Sequence, residues 1–106
     1  MRSSLIDRNQ LLPYRYTAAH VAHETGKCPI RPMYRQYPAE DAAYEVTGQY
    51  MLGDALVVAP AFSPVAANGT VGVDVWLPPD GPWYDLAAIA AQPYLGGTFI
   101  RCGGRN

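Results

Sequence analysis

Cysteine is scarce in this chain: its 106 residues hold two, Cys28 and Cys102. A disulfide scaffold needs more, so packing and hydrogen bonds must hold the fold. The pair reads as two free thiols, with a single bridge between them left open. No charge of one sign accumulates, since eight Lys and Arg stand against nine Asp and Glu for a formal net charge of −1. The absence of a basic cluster argues against a nucleic-acid partner, and the absence of a charge block argues against a solvated tail. No apolar run approaches the ~18 residues of a membrane span. Residues 1–8 lack the apolar stretch of a signal peptide, which leaves the compartment open. Also missing are a nucleotide-binding glycine fingerprint, a G-x-S-x-G elbow and an H-E-x-x-H zinc motif.

Hydrophobic residues make up 49% of the chain, enough for one small folded unit rather than disorder. Ten Pro and ten Gly imply many turns and short elements. Residues 4–24 read as a helix, with Ser4 and Asp7 resembling a capping box. Leu5, Leu12, Tyr16, Ala19 and His23 recur at helical spacing and define its expected apolar face. Pro13 sits inside the pattern and should kink the helix or restart it. Gly26 stands where a left-handed cap costs least. Residues 28–34 are an extended run between prolines, and residues 39–52 read as turn and helix fragments.

From Ala55 the texture changes. Leu56-Val57-Val58-Ala59 is a continuous apolar strand closed by Pro60. Residues 63–70 are a polar loop, in which Asn68-Gly69-Thr70 fits a glycosylation sequon. Val71, Val73, Val75 and Leu77 alternate with other residues at the period of a strand. After a proline-rich turn, Trp83-Tyr84-Asp85 should open a short strand, and residues 98–101 another. The chain is thus helix-rich before about residue 53 and β-rich after it, an α+β pattern.

One stretch is more specific than any of these. Gly48-Gln49-Tyr50-Met51-Leu52-Gly53-Asp54-Ala55-Leu56-Val57-Val58-Ala59-Pro60 resembles the joint between barrel and β-domain in family 31 of the glycoside hydrolases. Flanking motifs fall in the family's order: Leu11-Leu12-Pro13-Tyr14-Arg15-Tyr16-Thr17 and Pro29-Ile30-Arg31-Pro32-Met33 before it, then Val75-Trp76-Leu77-Pro78-Pro79 and Trp83-Tyr84-Asp85 after it. The likeness spans roughly residues 8–86 and fades beyond Asp85, where Leu86-Ala87-Ala88 replaces the family's aromatic and T-G pattern; Gly96-Gly97-Thr98 returns to it. Arg15 replaces a usual aliphatic residue, and residues 102–106 read as a truncated or foreign end.

The resemblance implies a fold: the last helix and strand of a (β/α)8 barrel in residues 1–53, then part of a β-sandwich domain in residues 54–106. Residues 4–25 would be the helix after the seventh barrel strand, and residues 28–33 the eighth strand. It also implies chemistry. Family members are mostly retaining α-glycosidases that use two aspartates, and retention sets the two carboxyl groups about 5–5.5 Å apart. Both aspartates belong to earlier barrel strands, so none of the aspartates here stands in a catalytic motif. The expectation is a fragment that is inactive alone and uses no cofactor. It would meet a carbohydrate substrate only through a longer parent, or through a separate chain that supplies the rest of the barrel. A non-catalytic carbohydrate-binding module is the other reading. Apolar faces left without neighbours should make the isolated chain marginally stable.

Single residues invite sharper readings. Arg31 ends the expected barrel strand, where barrel enzymes carry functional side chains, so it is the one substrate-proximal candidate. An arginine paired with a carboxylate to fix the strand end is the plainer reading. His20, His23 and Glu24 could face one side of a helix, yet zinc needs further ligands, and packing explains them better. Asp54 and Asp85 read as turn or cap residues. Trp76, Trp83 and Tyr84 could stack on sugar rings or pack at a domain boundary, where their N–H and O–H groups would need partners.

Overall fold

The computed structural model of the protein describes residues 2–62, 67 and 69–105. It opens with two helices, α1 (Arg2–Gln10) and α2 (Leu12–Thr25). The restart falls where Pro13 predicts it. Pro13 lies in the first turn of α2, where its missing N–H has no helical partner to lose. Because α1 begins at Arg2, Ser4 lies inside the helix and caps nothing, contrary to the capping-box reading. Gly26 closes α2 at φ 71°, and its N–H donates to the Ala22 carbonyl.

The exposed and buried faces of these helices are the reverse of the sequence expectation. Leu5, Leu12 and Tyr16 are all more than half exposed. The face turned toward the rest of the molecule is Leu11, Tyr14, Ala18 and Ala22, each half-buried. The expected stripe ran Leu5 and Leu12 through one uninterrupted helix. The break between Gln10 and Leu12 resets the phase, and that stripe has no continuous face to lie on.

Strand β1 (Ile30–Pro32) leads straight into a single helical turn, α3 (Met33–Gln36), and then α4 (Asp41–Glu45). Strands β2 (Tyr50–Leu52) and β3 (Leu56–Val58) complete a three-stranded antiparallel sheet of order β1-β2-β3. Arg31 pairs with Met51, and Met51 with Val57. The second strand was not expected, because residues 39–52 read as turn and helix fragments. This sheet runs across residues 53–54, so the two sequence halves share one hydrogen-bonded layer there.

A second sheet is a long ribbon of β4 (Thr70–Trp76) and β5 (Phe99–Arg105), antiparallel from Trp76↔Phe99 to Thr70↔Arg105. The alternating valines of β4 appear as expected. Strand β5 runs past Arg101, so residues 102–105 continue the ladder. The expected strand at residues 83–85 shrinks to one bridge, Trp83↔Tyr94. A 3₁₀ turn (Leu86–Ala88) follows it, capped by Asp85. No helix among the described residues is long and apolar enough to cross a membrane.

The core is small. Met33, Ala43, Met51 and Trp76 are buried together, with Tyr37, Val57 and Trp83 packed around them. One residue each from α3, α4, β2 and β4 meets there, so this cluster is where the helical segment and both sheets touch.

Candidate functional site

The polar centre of the molecule is the β2–β3 turn, Gly53-Asp54-Ala55. Gly53 has φ 66°, in the left-handed region that favours glycine, and its N–H donates to the Pro29 carbonyl at 2.7 Å. The Tyr14 hydroxyl lies directly against Gly53, where a Cβ would overlap it. That hydroxyl donates to the Leu52 carbonyl at 2.7 Å and accepts from the Ala55 N–H at 3.1 Å. Helix α2 is thereby fastened to the turn through one side chain.

Arg31 grips the same turn from β1. It is 3% exposed, and it donates to the carbonyls of Cys28 (3.1 Å) and Gly53 (2.8 Å) and to Asp54 Oδ1 (2.6 Å). Its Nε is buried with no partner among the described residues. Lys27 reaches the same Asp54 oxygen at 2.9 Å. The hydrogen bond from Lys27, with that from Arg31, holds the Asp54 carboxyl below its ordinary value of 3.8, against a smaller opposing effect of desolvation. Asp54 lies in the turn, as its position suggested, and its carboxylate pairs with Lys27 and Arg31 rather than with local backbone amides. Arg31 sits as a strand-end anchor: its guanidinium is enclosed by backbone carbonyls and one carboxylate.

A second polar contact joins the loop after β4 to the helical segment. The Tyr37 hydroxyl donates to Asp80 Oδ2 at 2.9 Å, and the Tyr37 ring meets Trp76 edge-on at 5.9 Å. Burial and the Asp80 carboxylate push the Tyr37 hydroxyl well above its ordinary value. The third contact is Gln49, a residue the sequence reading never singled out. It is 6% exposed, and its amide both accepts from the Trp76 N–H and donates to the Trp76 carbonyl, each at 2.8 Å. A side chain thus supplies β4 with the pair of hydrogen bonds a neighbouring strand would give. A lone glutamine ahead of a strand carries no spacing signal that could reveal this.

The remaining candidates fall apart spatially. Trp76 is buried and cannot offer a ring face to solvent. Trp83 is half-buried, with its indole N–H on the Pro78 carbonyl at 2.8 Å, whereas Tyr84 is more than half exposed. Asp85 accepts from the Ala87 N–H at 2.9 Å, the local cap its position suggested. His20 and His23 are exposed on α2, and the described residues contain no group of three or more metal-ligating side chains. Cys28 and Cys102 are both free. Burial and the Asp85 charge push the Cys102 thiol up. The sequon's Asn68 lies outside the described residues.

Two clefts flank this framework. An apolar one of about 350 Å³ separates the sheets and is lined by Leu56, Val58, Val75, Leu77 and Ile100, among others. A mixed groove of about 420 Å³ runs beside it between Asp54, Asp80, Trp83 and Tyr84. The apolar cleft also carries Asp85 and Cys102.

Comparison with known proteins gives this geometry a context. Residues 26–101 match the family model described as the glycosyl hydrolase family 31 C-terminal domain. Human neutral alpha-glucosidase AB is 41% identical over 87 residues, which are 81% of this chain and 9% of that protein. Barley alpha-glucosidase is 41% identical over 85 residues, 80% of this chain and 9% of its own length. Among solved structures, a GH31 alpha-xylosidase from a soil metagenome, complexed with xylose, superposes with TM-score 0.85 at 31% identity, over 97% of this chain and 14% of that one. A Flavobacterium johnsoniae GH31 dextranase gives TM-score 0.77 at 34% identity, over 90% and 11%. The chain spans about a tenth of the length of the relatives it matches.

Proposed function

This chain belongs to family 31 of the glycoside hydrolases, and we propose that it serves as the buttress of a retaining α-glycosidase rather than as its catalytic centre. The matched relatives named above are an α-glucosidase of each of two organisms, an α-xylosidase and a dextranase. The parent reaction we infer is hydrolysis of an O-glycosyl bond of an α-linked glucosyl or xylosyl residue by double displacement. That route needs one carboxylate as nucleophile and another as acid/base, about 5–5.5 Å apart. The observation that carries the reading is the C-terminal-domain match over residues 26–101.

We place the division between barrel end and β-domain at residues 53–54, in the β2–β3 turn. Tyr14, Lys27 and Arg31 converge there on Gly53 and Asp54. The turn would transmit the position of the barrel's last elements to the β-domain, and Arg31 would act from behind by fixing the strand end. The test is direct. The purified chain should show no turnover of p-nitrophenyl α-glucoside or α-xyloside above buffer. Turnover that disappears on substituting an aspartate of this chain would overturn the proposal.

A second arrangement has support from the helices. Leu5 on α1 and Leu12 and Tyr16 on α2 are each more than half exposed, apolar surface that suits a packing partner, and a separate chain carrying the other barrel strands would supply one. Co-purification of such a chain, with activity appearing only in the complex, would favour it.

A further inference from the structure

We draw no further inference here: the strongest candidate, the apolar cleft of about 350 Å³ between the two sheets, lined by Leu56, Val58, Val75, Leu77 and Ile100 among others, carries nothing beyond the readings above, because nothing in the structure shows what covers it.

Discussion

Gln49 shows how much one side chain can carry here. Its amide satisfies both backbone groups of the buried Trp76. Gln49→Ala would leave a buried N–H and a buried carbonyl without partners, at a cost of about 2–4 kcal/mol, readable as a lowered urea midpoint. Gln49→Glu should be at least as damaging, because a carboxylate cannot donate to the Trp76 carbonyl. Asp54 makes a pH-dependent contribution of known sign. Its folded carboxyl titrates below its ordinary value of 3.8, with Lys27 and Arg31 as the cause. The stabilisation is therefore present above that value and is lost as pH falls through the lower, folded one. Asp54→Asn should flatten the acid limb of the stability–pH curve and lower the plateau above it. Tyr37 acts at the opposite end. Its raised value means stability declines as pH climbs beyond 10, its ordinary value, and Tyr37→Phe should remove that alkaline decline.

Among the elements, α2 and the β2–β3 turn form one unit through Tyr14. Gly53→Ala would place a Cβ into the Tyr14 hydroxyl while forcing a left-handed backbone on a residue that disfavours it. About 2–4 kcal/mol should be lost. Tyr14→Phe should remove the hydroxyl's share of the overlap in the double variant, recovering part of that loss, so a double-mutant cycle on thermal stability reads the coupling. The elements also show where sequence reasoning succeeded. Strand β4 was legible because Val71, Val73 and Val75 alternate over a full seven-residue strand. The left-handed cap at Gly26 and the paired reading of Arg31 were legible because each follows from one residue's chemistry. Strand β2 was not, since three residues are too few to show a period. The helix face was misread because Pro13 resets the phase. Trp83 looked like a strand residue, yet β-bridge pairing extends no further than Tyr94. Aromatic content indicates strand-like surroundings without fixing how long the strand is.

At the scale of the whole molecule, two small sheets and short helices surround a buried cluster of Met33, Ala43, Met51 and Trp76. An apolar cleft of about 350 Å³ stands between the sheets, and Leu5, Leu12, Tyr16 and Phe62 are exposed. Surfaces of that kind belong against other protein. They agree with a chain that spans 9% of the length of the α-glucosidases it matches. The family was legible from ordered motifs. The most direct test of the buttress role is the size of the native protein that carries this segment. An antibody raised against residues 70–86 should detect a species many times larger than 11.5 kDa, and α-glycosidase activity should co-elute with it. A native species near 11.5 kDa that carries no glycosidase activity, even when mixed with the other proteins of its source, would contradict the account.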